Sequence, residues 1–309
     1  MAQLKIQLPN QIVDVTPFLV DEAAVYPEGK RDKAYFRWRG DRYPFCLPDR
    51  LYMFKRSRDI YPQQYWVEIF AYHLGCLINV PVPPTFVALD SQDSMPGALI
   101  EWFYDDKSVT YTRGGDAMQS LMPDYDRKKG ELHNLKSILD YCNGSNSDRD
   151  YWLKAFAKII TFDALLGNTD RHQENWGILF EAGEYKLSPA FDNGTSMGHE
   201  ISNFSEFDNL SRIRGYVGKG KHHMKWDVNQ DRVARENHKD FLIRYVQEYP
   251  VSLNSIKSCL DFNSEDVKNR LDDLCSFDIE HRLTPERAMF MLKLLNFRRD
   301  NLLQYFGDL

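Results

Sequence analysis

No apolar run in this chain approaches the length needed to cross a bilayer, and the opening Met1-Ala2-Gln3-Leu4-Lys5 lacks the apolar core of a secretory leader. Neither a membrane span nor a leader is expected. The five cysteines, Cys46, Cys76, Cys142, Cys259 and Cys275, form no C-x-x-C pair. That removes the basis for a disulfide framework or a cysteine zinc site and suits a reducing cytosol. Charge of one sign is not in large excess either. Lys and Arg number 39 against 45 Asp and Glu, a formal charge of -6, so the chain lacks the basic surplus of a protein that coats nucleic acid, and direct nucleic-acid binding is not expected. Basic clusters are local, at Arg56 to Arg58 and Lys219 to Lys225. Internal repeats and histidine-rich metal spacings are also lacking.

What is present is an ordinary globular composition, 43% hydrophobic and 27% charged, which argues against disorder. A length of 309 residues allows one large or two ordinary domains, and two lobes fit. The most informative stretch is Gly167-Asn168-Thr169-Asp170-Arg171-His172-Gln173-Glu174-Asn175, answered downstream by Leu187-Ser188-Pro189-Ala190-Phe191-Asp192-Asn193-Gly194. It follows a long apolar-periodic run, Tyr151 to Leu166, read as a largely buried helix. It leads into β-like segments at Ile178 to Phe180 and Tyr185 to Leu187. Asp170 and Asn175 are spaced like the base and the metal-binding asparagine of a phosphoryl-transfer loop, and Asp192 follows as a second metal carboxylate. Alone, D-x4-N reads more simply as helix capping and turn chemistry. The second Asp-Asn-Gly element in a β-like setting reverses that preference.

Upstream, residues 1–25 alternate weakly and suggest strands and turns closing one edge of a small lobe. Tyr26 to Trp38 reads as a turn followed by an aromatic strand, with Gly29, Lys30, Arg31 and Lys33 at the corner. That corner is either an ordinary hairpin or a phosphate cradle built of backbone N–H groups and basic side chains. Leu51 to Lys55 reads as a strand. Gln64 to Gly75 reads as a helix, with Gly75 near its C-terminus. A strand lysine followed by a helix glutamate is the order that aims a lysine at nucleotide phosphates, so Lys55 and Glu68 are either that pair or two unrelated surface charges. Thr85 to Leu89 and Pro96 to Phe103 read as strands. The second ends either as an interlobe hinge whose backbone at Glu101 and Phe103 meets adenine, or as a buried strand end. Residues 105–134 read as loops or an insertion, and Cys142 to Asp150 as a loop ending in good N-cap residues. Amphipathic helices follow from Asn237, the clearest being Thr284 to Phe306 with Thr as N-cap and Pro at the first helical position.

These motifs together resemble the HipA-like kinases, a bacterial branch of the protein-kinase-like fold that shares its D-R-H-x-x-N loop with phosphatidylinositol kinases. The matching parts are Gly29 to Lys33, Lys55, Glu68, Leu99 to Phe103, Gly167 to Asn175 and Leu187 to Asp192. The resemblance implies an α+β, two-lobed protein-kinase-like fold. A small, mainly β N-lobe with one helix would occupy residues 1–103, and a larger, mainly helical C-lobe residues 104–309. It implies an ATP- and Mg2+-dependent kinase for a Ser/Thr hydroxyl of a protein substrate, toxin-like or effector-like, cytoplasmic or exported. By residue, it gives Asp170 as base and Asn175 and Asp192 as magnesium ligands. Lys55 contacts ATP phosphates, Glu68 positions it, Glu101 and Phe103 meet adenine, and Asp105 meets ribose. His172 either stabilises the transferring phosphate, acts as an alternative base, or braces the loop.

Two departures from the family stand out. Its members carry a further N-terminal subdomain, whereas about 25 residues precede the phosphate loop here, so that role is expected to be missing or supplied by a separate small protein or antitoxin. Tyr26 to Lys33 holds no Ser or Thr, so self-inhibition by phosphorylation there is not expected, although Ser57 lies near in sequence. Rival readings remain: a lipid or small-molecule kinase on the same fold, a nucleotide-binding scaffold without turnover, and a metal hydrolase using Asp170, His172, Asp192 and His199.

Overall fold

The computed structural model describes residues 4–19, 33–104, 108–144, 148–227 and 235–307. Gly29, Lys30, Arg31 and Asp105, expected at the nucleotide, lie outside them. A five-stranded sheet is built from β1 (Val13–Asp14), β2 (Lys33–Arg37), β3 (Leu51–Arg56), β4 (Thr85–Asp90) and β5 (Met95–Glu101), in the order β1-β4-β5-β3-β2. Only β1 runs parallel to its neighbour. Among the described residues of the stretch 1–25, β1 forms one sheet edge, and the short α1 (Thr16–Leu19) packs Phe18 on Phe36 and Trp38.

The sheet has two buried faces. One carries the aromatic cluster of Phe36, Trp38, Tyr43, Phe45, Phe54 and Phe86. The other packs on α2 (Tyr65–Ile78), which is buried nearly all round, as expected of a helix that is apolar on every face. The opposite side of α2 meets the helical part of the chain, where Trp66 Nε1 donates to the His281 carbonyl at 2.9 Å and Gln63 Nε2 to the Arg282 carbonyl at 2.8 Å. One continuous core therefore runs from β3 and β5 through α2 into the helices.

Gly75 does not end α2. The helix continues to Ile78, and Asn79 takes the left-handed turn at φ 54°, its N–H bonding Gly75 O; asparagine tolerates that conformation well. The glycine is needed for packing, because a Cβ at Gly75 would stand 2.5 Å from the Val82 side chain.

Beyond β5, β6 (Val109–Arg113) leads directly into α3 (Gly114–Leu121). The expectation of loop between 105 and 134 is corrected here. Its glycine pair is not a turn but the close approach of the α3 start to the loop ahead: a Cβ at Gly114 would meet Trp176 at 2.3 Å, and one at Gly115 would meet Glu174 at 2.2 Å. Next come α4 (Leu135–Asn143) and α5 (Arg149–Leu166), the latter capped by the Asp148 carboxylate. A small antiparallel sheet, β6 with β7 (Gly177–Glu181) and β8 (Glu184–Leu187), flanks the D-x4-N loop. The rest is helical: α6 (Leu210–Lys219), α7 (His238–Glu248), α8 (Leu253–Leu260), α9 (Ser264–Cys275) and α10 (Pro285–Phe306). Thr284 caps α10 through the Arg287 N–H, with Pro285 inside the first turn, as its sequence prescribes. The α+β class and the division into a curled-sheet lobe and a helical lobe hold. Among the described residues no helix is long and apolar enough to cross a membrane.

Candidate active site

Lys55 is the penultimate residue of β3, its side chain buried, and Glu68 sits on the first turn of α2, buried as well. They are no surface charges. Lys55 Nζ stands 2.5 Å from Glu68 Oε1 and 2.6 Å from Asp192 Oδ1. The other oxygen of Glu68 accepts from the backbone N–H of Asn193 at 2.9 Å, so one carboxylate fixes both the lysine and the loop carrying Asp192. Gln64, one turn before Glu68, donates to the Gly194 carbonyl at 2.8 Å. Asp192 itself adopts φ 58°, a left-handed conformation costly for a residue with a Cβ and commonest where function requires it.

The D-x4-N loop starts where α5 stops. Gly167 takes φ 68° and turns the chain, while Arg298 of α10 lies over the helix end and donates to the Leu166 carbonyl at 2.9 Å. A buried cation at a helix C-terminus is favourable to the carbonyls there. Gly167→Ala should lower stability by about 2 kcal/mol or more, because a positive φ and a Cβ 2.2 Å from the Arg298 guanidinium are both penalised; urea unfolding would register it, and a loss under half a kcal/mol would contradict the packing.

Within the loop, Asn175 Nδ2 donates to the Asp170 carbonyl at 2.8 Å, and the His172 N–H bonds the same oxygen at 2.8 Å. Asn168 Oδ1 accepts from Asp170 N–H at 3.0 Å. His172 Nδ1 accepts from the Glu174 N–H at 3.1 Å, a bond within the loop. Asp170 and Asn175 are thereby held at a fixed spacing with the amide oxygen of Asn175 turned away from the backbone bond.

Arg171 locks this loop to the Asp192 loop. Its guanidinium, 1% exposed, pairs with Asp163 on α5 at 2.7 Å and donates to Asn175 O at 3.0 Å and Asn193 Oδ1 at 2.8 Å; it also reaches the Phe191 carbonyl. Burial alone would raise the Asp163 carboxyl, yet the Arg171 charge, the neighbouring His222 ring and the Arg171 hydrogen bonds hold it down, to about 2. Arg171, Asp163 and Asn193 were given no role by the sequence reading. The available signal was Asp163 itself, a lone carboxylate inside an apolar helical run, which demands a buried partner.

Glu101 faces away from the loop. Its carboxylate binds Lys5 at 2.5 Å and accepts from Tyr52 OH at 3.1 Å, and its N–H bonds Pro84 O at 2.8 Å. A ligand at that strand end would find the Glu101 carbonyl rather than its N–H. Phe103 packs against Phe191 with ring centroids 5.1 Å apart, which joins this strand end to the Asp192 loop. Lys33 stands directly across the β2–β3 ladder from Lys55, on the same face of the sheet.

Around the loop lies a set of buried histidines. His133 Nε2 accepts from Trp176 Nε1 at 2.9 Å, and His223 lies 5.8 Å ring to ring from His133 and 5.7 Å from His172. Burial pushes His223 and His238 down to about 3 and His133 well below its ordinary value. Folded pKa values below the unfolded 6.5 mean that the unfolded chain binds more protons between the two, so stability falls as pH drops through that window. The thermal midpoint should be flat above about pH 7 and decline from about pH 6.5 downward, before the carboxylates titrate. His133→Gln, which keeps an acceptor for Trp176, should shrink that decline in calorimetry; an unaltered profile would remove the histidines as its cause.

Asn175 and Asp192 offer hard oxygen donors that fit magnesium, which takes few protein ligands and keeps water and phosphate oxygens for the rest. Among the described residues no group of three or more His, Cys, Asp or Glu is placed to hold a metal ion, and magnesium does not ask for one.

Residues 27–252 match the family model of the HipA-like C-terminal domain. Among curated proteins, the chain is 26% identical over 147 residues to the serine/threonine-protein kinase CtkA of Helicobacter pylori. That match covers 43% of this chain and 45% of the relative, so the chain spans less than half of the relative's length in it. Among solved structures, the H. pylori proinflammatory kinase CtkA superposes with a TM-score of 0.75 at 16% identity, covering 96% of this chain and 97% of that one. The HipA of a Shewanella oneidensis MR-1 toxin–antitoxin system, solved with HipB and its operator DNA, gives 0.57 at 10% identity over 93% of this chain and 67% of that one. At these identities the two structures speak for the fold.

Proposed function

The chain belongs to the family defined by the HipA-like C-terminal domain, and we propose that it is an ATP- and magnesium-dependent kinase that phosphorylates a serine or threonine of a protein. The observation that carries this reading is the convergence on Lys55 Nζ of Glu68 from a helix and Asp192 from a distant loop, at 2.5 and 2.6 Å. Lys55, positioned by Glu68, and Lys33 across the ladder would supply cations to a polyphosphate, while Asn175 and Asp192 would hold the metal that neutralises its charge.

In this reading Asp170 orients the acceptor hydroxyl and takes its proton as the oxygen attacks the γ-phosphorus. The bond to the β–γ bridging oxygen breaks, and ADP leaves. Asn175 and Asp192 hold magnesium, which when bound neutralises charge on the transferred group. Lys55 holds phosphate oxygens, Glu68 fixes Lys55, and the backbone at Glu101 and Phe103 receives the adenine at a hinge between lobes 1–103 and 104–309. Gly29, Lys30 and Arg31 cover the phosphates, and Asp105 meets the ribose. The support for a protein acceptor is the serine/threonine-protein kinase to which the chain is related.

The test is transfer of label from γ-labelled ATP into protein by the intact chain. Transfer should require magnesium and stop on chelation; a magnesium-independent signal, or ATP bound with no labelled product, would sink the reading. Lys55→Met should cut kcat/KM for ATP by about tenfold or more, because a charge-assisted contact to phosphate is lost; a steady-state titration of ATP reads it, and an unaltered kcat/KM would take Lys55 off the phosphates.

A further inference from the structure

Beside Asp170 lies a cavity of about 730 Å³ that the chemistry above leaves unused. Its walls come from the end of α5 and the loop after it (Gly167, Thr169, Asp170), from Thr195, from α6 (Arg214, Lys219), from the start of α7 (His238, Lys239) and from Arg298 of α10. The volume is of the size that takes a ligand rather than a few waters. Its position places Asp170 on its rim.

The wall is chemically incomplete. His238 is 8% exposed, yet among the described residues neither of its ring nitrogens has a hydrogen-bond partner. The hydroxyl of Thr195 is buried and unpartnered likewise. Buried polar groups are almost always satisfied, and two unpartnered ones belong to residues lining this one cavity. His238 is also the first residue of α7, a helix of 11 residues whose Asn237 cap takes the Asp240 N–H at 3.0 Å and leaves the other first-turn N–H groups to favour an anion.

The charge agrees. Arg214, Lys219 and Lys239 are exposed on the wall, in a chain whose net charge is -6. The carboxylates there are Asp170 and Glu200, and Glu200 accepts from Tyr216 OH at 2.8 Å. At Gly218, also in the lining, a Cβ would meet nothing within 4 Å, so the backbone is approachable. Glycine in an exposed helix costs about 1 kcal/mol relative to alanine, which open access to a ligand would explain.

We propose that this cavity is the acceptor site and that it takes an acidic serine or threonine segment, with the hydroxyl at Asp170 and a flanking carboxylate at the start of α7 among His238, Lys239, Arg214 and Lys219. The inference rests on the kinase reading for the hydroxyl and on the cavity alone for the carboxylate. Exposed cations on the rim suit a segment running across the opening, with the neutral, buried His238 ring donating one N–H to the carboxylate at its floor.

The test uses the whole chain and two dye-labelled nonapeptides with a central serine, one flanked by glutamates and one by lysines, followed by anisotropy and by label transfer from ATP. The glutamate peptide should bind about tenfold or more tightly than the lysine peptide, and Lys239→Glu and Arg214→Glu should erase most of that difference, as expected for charges at a binding rim. Equal binding of the two peptides, or full retention of the preference in both variants at wild-type thermal midpoints, would overturn the proposal. So would equal binding combined with phosphorylation of free serine, which points instead to a small acceptor. Preferential binding without any phosphate transfer would retain the acidic site and sink the kinase reading. Transfer to both peptides at equal KM would retain the kinase and sink the acidic site.

Discussion

Asp170→Asn should lower kcat for phosphate transfer by about 10²–10⁴-fold while leaving ATP affinity within about threefold. The substitution changes one oxygen for an amide and leaves the backbone role intact: the Asp170 carbonyl still accepts from Asn175 Nδ2 at 2.8 Å and from the His172 N–H at 2.8 Å, and its N–H still reaches Asn168 Oδ1 at 3.0 Å. The loop therefore keeps its shape. What disappears is the ability to accept a proton from an acceptor hydroxyl. Single-turnover transfer from labelled ATP separates that step from binding, and calorimetric titration of ATP reports the other half. Undiminished transfer would remove Asp170 from the chemistry and leave His172, on the same loop, as the base. Equal losses in binding and turnover would mean that the loop had moved.

The contrast with Asp192 is physical. Asp192 is bound to Lys55 at 2.6 Å and sits at φ 58°, so changing it disturbs the lysine, Glu68 and the backbone at once. Asp170 gives the cleaner experiment because its backbone bonds to Asn175, His172 and Asn168 survive the substitution.

Much of this arrangement could be read in the sequence, for reasons that differ by residue. The strands Leu51–Arg56 and Met95–Glu101 and the helices Arg149–Leu166 and Pro285–Phe306 follow from local pattern, apolar period and caps. The pairing of Lys55 with Glu68 was one of two readings, and burial of both groups decides it, since burial depends on what α2 packs against rather than on the residues themselves. Gly75 lies near the C-terminus of α2 as its sequence suggests, whereas Gly114 and Gly115 sit in a stretch read as loop; each makes room for another side chain, Val82, Trp176 or Glu174. A sequence marks a glycine but not the neighbour that requires it. The Asp163–Arg171 pair was hidden because eight residues separate the partners and the helix ends between them. The cavity walled by α6, α7 and α10 depends on long-range packing and left no local mark except the basic stretch from Lys219.

Arg171→Met should destabilise the fold by about 3–5 kcal/mol, because removing one partner of a buried ion pair leaves the other charge uncompensated. Asp163 would stay fully buried without its cation, and the Asn175 carbonyl, the Phe191 carbonyl and Asn193 Oδ1 would lose their donor. The loop bearing Asp170 and Asn175 and the loop bearing Asp192 would come apart, so transfer should fall even in the folded fraction. Urea unfolding measures the stability, and its pH dependence identifies the cause. In the wild type the Asp163 carboxyl is held down to about 2, below the unfolded value of about 3.9, so its contribution is present above that unfolded value and is lost as pH falls toward the folded one. In Arg171→Met the largest opposing charge is gone while the His222 and Asn168 contacts stay, so burial raises the Asp163 pKa from its wild-type position and the variant loses less on protonation. The gap between the two proteins should therefore narrow as pH falls below the unfolded value. Replacing Asp163 by Leu in the same chain should recover much of the loss at neutral pH while leaving transfer impaired, since an apolar pair restores packing but not the bonds to Asn175, Phe191 and Asn193. A stability loss under about 1 kcal/mol for Arg171→Met, or full transfer by the double variant, would show that the two loops are held together by something other than this guanidinium.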